Sequence, residues 1–140
     1  MIATLKNLLF SLLALLGGLI ALALVTTVAS WLPPLLRLQP DSAAQLIWDL
    51  VFTVLGGIVA VGFTTRHAPR WPRSHGSALW LLIAAAALWA CLSPQYDLPH
   101  WFVAVLLLSL PAQLLAGLYL GRRSARSEER RVGKECRSRW

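Results

Sequence analysis

Three histidines, two cysteines and six acidic residues are the groups through which this chain could do acid–base, nucleophilic or metal chemistry. His67 and His75 share one short polar segment, whereas His100 lies beyond the next apolar stretch. No His-x3-His or Cys-x2-Cys spacing brings ligands together, so no metal site is expected. Asp97 near His100, and Ser74 beside His75, lack the third group that would orient a base toward a nucleophile. Gly56-Gly57 is followed by no lysine and cannot be read as a phosphate-cradling loop. The expectation is therefore no catalytic residue, no cofactor and no enzyme. Asp49 is the exception, because it sits inside an apolar run. A carboxylate there is by default a candidate for proton or cation coupling. Its neighbour Trp48 argues instead for the outer interface, where water or Arg37 could serve it.

Ser109, Gln113, Gly117 and Gly121 recur every four residues beside Pro111, which frees a backbone carbonyl that a nearby Ser or Gln can re-satisfy. The stripe reads as a polar link between packed helices, with the lining of a permeation path as the alternative. Small residues share this spacing elsewhere: Ala14/Gly18 and Gly17/Ala21 early in the chain, then Gly56/Ala60/Thr64. Four-residue spacing stacks them on one helix face, where missing side chains let another backbone approach. Gly18, Gly56, Ala60, Gly117 and Gly121 are accordingly expected at helix contacts within one bundle, with a homodimer seam as the alternative.

These groups need elements to hold them, and the composition says which. Of 140 residues 57% are hydrophobic and only 14% charged, with a net charge of +7 and a mean hydropathy of +0.62. That excludes disorder and an ordinary water-soluble domain. Four apolar runs, at about residues 8–32, 43–65, 77–92 and 101–120, suit bilayer spans of about 20 residues. Backbone in hydrocarbon must satisfy its own hydrogen bonds, so the spans are read as helices and the fold as an all-α four-helix transmembrane bundle. Pro33-Pro34 is expected to stop the first helix. Ser42-Ala43-Ala44-Gln45 reads as a capping box opening the second.

Charge gives the orientation. Lys6, Arg66, Arg70, Arg73, Arg122 and Arg123 fall on one side of a four-span arrangement and only Arg37 on the other, so both termini are expected in the cytoplasm. Trp31, Trp48, Trp89, Tyr96 and Trp101 then mark the outer interface, and Trp71, Trp80 and Tyr119 the inner one. Arg66, Arg70 and Arg73, stiffened by Pro69 and Pro72, suit contact with anionic lipid headgroups. The loop is chiefly a topology determinant, with a protein docking site as the alternative. Cleavage of the first span after Val28-Ala29-Ser30 is the rival reading, but its apolar region exceeds the ~7–15 residues of a signal peptide.

From Arg126 the composition changes to Arg-Ser-Glu-Glu-Arg-Arg-Val-Gly-Lys-Glu-Cys-Arg-Ser-Arg-Trp. All fifteen residues resemble the translation of a widely used short-read sequencing adapter, so residues 126–140 are read as a non-native tail, expected to be disordered. Setting them aside leaves seven basic and three acidic residues, a net +4, with Cys91 the one cysteine. A nucleic-acid partner loses its support with them.

Leu55-Gly56-Gly57-Ile58-Val59-Ala60 leading to Arg66, Ala68-Pro69-Arg70 with His75, Leu98-Pro99-His100-Trp101-Phe102, Leu110-Pro111-Ala112 and Gly117 through Arg122 resemble an uncharacterised family of small bacterial four-span inner-membrane proteins. The resemblance implies fold and membrane location and brings no activity with it. The expected function is a non-enzymatic accessory or structural membrane component. The alternative is a small oligomeric transporter subunit with Asp49 as its coupling residue.

Overall fold

All four apolar runs form helices: α1 (Ile2–Leu35), α2 (Ala43–His67), α3 (Pro72–Leu92) and α4 (His100–Arg137). The computed structural model describes the backbone of residues 2–40, 42–69, 71–95 and 98–137, and within these the side chains of 5–124. Each helix contains a stretch long and apolar enough to cross a membrane, namely Leu5–Leu35, Ala43–His67, Pro72–Leu92 and His100–Ser124.

The centre of the arrangement is α2, which packs against α1, α3 and α4. α3 lies along one side of it, mostly between α2 and α4, while α1 and α4 do not touch among the described residues. The helices therefore fan around α2 and leave one of its faces uncovered. Leucines and tryptophans point outward, with Leu24, Leu108 and Trp89 all exposed, while Ala14, Ala60, Val61 and Thr64 are buried. That inversion suits a surface facing hydrocarbon rather than water. A second apolar cluster joins Leu50 of α2 to Phe102 and Leu106 of α4, and half-buried Cys91 packs against it from α3.

Several boundaries differ from those the sequence suggests, the start of α1 at Ile2 rather than residue 8 among them. Pro33-Pro34 does not stop α1: the fixed φ of proline is already helical, and the lost N–H and the crowding of the carbonyl four residues back fall in the last turn of the helix. The helix runs on to Leu35 and ends in a Schellman motif. Arg37 is left-handed at φ 55, Leu38 N–H bonds to Pro33 O at 3.0 Å, and Arg37 N–H to Pro34 O at 3.2 Å. α3 begins at Pro72 rather than residue 77, with proline at the first helical position where its missing N–H costs nothing. α4 continues to Arg137, so residues 126–137 are helical, not disordered. Runs of Arg and Glu have good helix propensity, and a preformed helix spares them the cost of nucleation. Ser138–Trp140 lie outside the described residues.

Elsewhere the caps follow local chemistry. Ser42 Oγ accepts from Gln45 N–H at 3.2 Å, half of the expected capping box. α2 ends at His67 because Ala68 precedes a proline and is extended, at φ −67 and ψ 124.

Pro33 has a consequence for tertiary structure. Without its N–H the carbonyl of Ala29 loses its donor four residues on, and Trp48 Nε1 of α2 donates to that oxygen at 3.1 Å. An indole N–H and an orphaned carbonyl thus satisfy each other across α1 and α2. Trp48→Phe is expected to lower stability by about 0.5–1.5 kcal/mol. In a Pro33→Ala background, where residue 33 supplies its own N–H, the loss should shrink. Reversible unfolding in mixed micelles measures the cycle, and equal losses in both backgrounds would contradict the pairing.

Candidate functional site

Polar and small residues meet along α2. Toward α1, Gly18 abuts Thr64 and Leu79, and Gly56 faces the tip of Leu22. Ala60 is wholly buried beside them. Thr64 Oγ1, itself buried, donates to Ala14 O at 3.2 Å. Toward α4 the approach is closer still. A Cβ on Gly117 would stand 2.6 Å from Val61 Cβ and 3.1 Å from Ile58 O. One on Gly121 would stand 2.7 Å from Gly62 O and from Thr65 Cβ. α2 and α4 run parallel here and their backbones are in van der Waals contact, which glycine alone permits.

Gln113 lies in this interface with 1% of its surface exposed. Its Nε2 donates to Ser109 Oγ at 3.0 Å, and Ser109 Oγ donates to Leu106 O at 2.6 Å. The relay stays within α4, and it serves the Leu106 carbonyl rather than that of Leu107, the one Pro111 releases. The amide oxygen of Gln113 has no hydrogen-bond partner and is pressed against Gly57, where any side chain would displace it. Asp49 is half-buried near the start of α2. It is eight residues from Gly57, about 12 Å along the helix. Asp49 and Gln113 are not brought to one depth.

Trp80 departs from the inner aromatic belt. It is half-buried, and its Nε1 donates to Leu110 O at 2.8 Å. Leu110 is twelve residues, about 18 Å, from Arg122 along α4. The indole therefore ties α3 to α4 instead of facing headgroups. Neither this contact nor that of Trp48 was expected. The available signal was that an indole N–H within an apolar span must find an acceptor.

The polar end groups lie near the ends of α2, α3 and α4. Arg66 and Arg73 are exposed, and Arg70 lies outside the described residues. Between them Trp71 is left-handed, at φ 56. His67 Nδ1 donates to Phe63 O at 2.9 Å, with the two rings 4.2 Å apart, and His75 Nδ1 donates to Trp71 O at 3.1 Å. Among the described residues no three His, Cys, Asp or Glu side chains gather around a metal position. Asp97 lies outside them.

A groove of about 510 Å³ lies between the C-terminal halves of α2 and α4. Gly62, Phe63 and Leu120 form part of its apolar wall, and Arg66, His67 and Ser124 its polar end. Comparison of the chain with family models, curated proteins and solved structures finds no match.

The glycines on α4 and α2 are not equivalent, and this can be tested. A Cβ on Gly62 would come no closer than 3.4 Å to anything, namely Gly117 O. Gly62→Ala is therefore expected to be neutral or stabilising by up to about 1 kcal/mol, since alanine favours helix. Gly117→Ala and Gly121→Ala should each cost about 1–3 kcal/mol by forcing α2 and α4 apart. Melting temperatures in one detergent compare the three, and equal tolerance would show that the helices do not approach so closely.

Proposed function

We propose that the chain is a multi-pass bacterial inner-membrane protein acting as a non-enzymatic accessory or structural component, with both termini cytoplasmic. The observation that carries this reading is where the polar atoms inside the spans are used. Trp48, Thr64 and Trp80 each spend a donor on a carbonyl of a neighbouring helix. Their chemistry is helix-to-helix attachment, as in packed membrane bundles. The orientation is supported by the six-to-one distribution of basic residues. The bacterial assignment rests on the sequence resemblance described above. Arg66, Arg70 and Arg73 then meet anionic headgroups on the cytoplasmic side. In a homodimer the uncovered face of α2 would be the self-contact.

Reporter fusions after Lys6, Pro40, Arg73, Tyr96 and Arg123 test the topology. Fusions after Lys6, Arg73 and Arg123 should report cytoplasm and the other two the opposite side. An external Arg73 would overturn the orientation.

One observation favours a second reading, a small oligomeric transporter subunit: Asp49 is half-buried within the span Ala43–His67. A carboxylate so placed can carry a proton or cation. On that reading Asp49→Asn abolishes flux in reconstituted vesicles while leaving expression intact, and unchanged flux removes it.

The adapter-like run contributes nothing to either function in this proposal. A chain ending at Ala125 is expected to insert in membranes and melt as the full chain does. Failure of insertion would make residues 126–140 part of the working protein.

A further inference from the structure

Asp49 shares its side of α2 with other polar and small residues. At about 100° per residue, Asp49, Thr53, Ala60 and Thr64 fall within about 60° of one another, on the side that faces both α1 and α3. Low on the helix this side is closed. Ala60 and Thr64 are wholly buried where Gly18 of α1 abuts Leu79 of α3. Some two to three turns further out the closure relaxes, and Asp49 and Thr53 are only half-buried. Asp49 precedes Leu55, the middle of the span Ala43–His67, by about 9 Å of helix. That places it inside the ~15 Å half-thickness of the hydrocarbon. Thr53 lies deeper, about 3 Å from the middle.

α1 brings another oxygen to this level. Trp48 bonded to Ala29, Gly56 against Leu22 and Val25, and Thr64 bonded to Ala14 fix the antiparallel register of α1 and α2. That register sets Thr26 level with Thr53. Gly18, Leu22 and Thr26 form one four-residue ladder on α1, and it begins where Leu79 of α3 abuts Gly18. Thr26 Oγ1 donates its proton to Leu22 O and Ala23 O, at 3.0 and 3.1 Å, which leaves its lone pairs for another group. Asp49 and Thr53 have no hydrogen bond or ion pair among the described residues. No basic residue of the flanking helices stands at this depth, since α1 has no charge between Lys6 and Arg37 and α3 no Lys or Arg after Arg73. On α3, Ala87 and the half-buried thiol of Cys91 pack against the cluster of Leu50, the residue after Asp49.

We infer that Asp49, Thr53 and Thr26 seat one alkali cation, of which sodium is the test case, in the crevice of α2 between α1 and α3. A carboxylate at this depth needs a counter-charge. Hydroxyl oxygens at the same level complement a hard cation, which takes carboxylate, hydroxyl and water oxygens rather than nitrogen or sulfur. Water from the open side supplies the remaining ligands. The single negative charge sets the valence. A monovalent ion leaves the crevice neutral, whereas a divalent one leaves an unbalanced charge in a site of low dielectric. On the orientation proposed above the seat opens outward, and buried Ala60 and Thr64 close it toward the cytoplasm. The inference rests on the second reading's placement of Asp49 within a span and names the ion of that reading. It holds whether or not the ion is carried across.

The test uses the full chain in non-ionic detergent, with its melting temperature followed as sodium chloride replaces choline chloride at constant ionic strength. An ion that binds only the folded state raises the melting temperature, here by an expected ~3–6 °C that saturates. Asp49→Asn should remove the rise. Thr53→Val keeps the shape, loses the hydroxyl and should remove most of the rise, so it tests the same seat if the first variant fails to fold. Ser109→Ala, which removes a hydroxyl of α4 outside the crevice, should keep the rise in full. Equal melting of the wild type in both salts would overturn the seat. So would a full rise in Asp49→Asn or Thr53→Val, or a larger rise with calcium chloride. Flux in reconstituted vesicles reads the transporter premise separately. A sodium rise in a chain that carries no ion supports the seat and removes transport, whereas flux without a sodium rise overturns the seat alone.

Discussion

The rest of the molecule depends on how closely other helices can approach the backbone of α2. In hydrocarbon there is no hydrophobic reward for burying leucine, since lipid tails are equally apolar, and association must come from contact and interhelical hydrogen bonds. α2 is built for both. Gly56, Ala60 and Thr64 face α1, while Val61, Gly62 and Thr65 meet Gly117 and Gly121 of α4. Where α4 has glycine, α2 has a β-branched side chain to set against it, and where α1 has Gly18, α2 has Thr64. The interface is a matching of absences to small volumes. Its tolerance to added methyl groups is accordingly low on the glycine side.

Prolines and indoles complete the framework. A proline within a span leaves one carbonyl without a donor, a cost that water would offset elsewhere but hydrocarbon cannot. Trp48 meets that need at Ala29, which turns a local defect of α1 into a tie to α2. Trp80 makes a tie of the same kind from α3 to α4, at a carbonyl no proline has freed. With Thr64 this places three hydrogen bonds across two helix pairs: two between α1 and α2 and one between α3 and α4. The α2–α4 contact is carried by close backbone approach, with Gln113 placed against Gly57 at its centre.

Number, type and approximate extent of the helices were legible because apolar runs bounded by charge and turn residues have few other solutions. The ends were less legible. Pro33-Pro34 reads as a terminator, but a proline's φ is compatible with helix and the neighbouring Trp48 removes the penalty, a long-range fact that no local pattern carries. The start of α3 was missed for the reverse reason: Arg73, Ser74 and His75 are polar enough to read as loop, yet they follow a proline at the first helical position. Gly18, Gly56, Ala60, Gly117 and Gly121 stand out by spacing alone. Which neighbour each one admits does not follow from spacing, since that depends on the fan around α2. The two indole ties were invisible because tryptophan in a membrane chain has two ordinary uses, belt and bridge, and only the fold distinguishes them.

The same fan explains why close packing and an open groove share one place. Had α1 and α4 closed around α2, its fourth face would be buried and Phe63 would be core. Because they stay apart, that face opens to lipid, and glycine-mediated approach to α4 makes its lower end concave rather than flat. Gly62 shows the division most clearly. Gly121 packs against its carbonyl, and a Cβ on Gly62 itself would make ordinary contact with Gly117 O at 3.4 Å and Gly121 N at 3.9 Å. An alanine there would cost little in helix contact. Stability alone therefore gives little reason for glycine at position 62, where alanine is the better helix former.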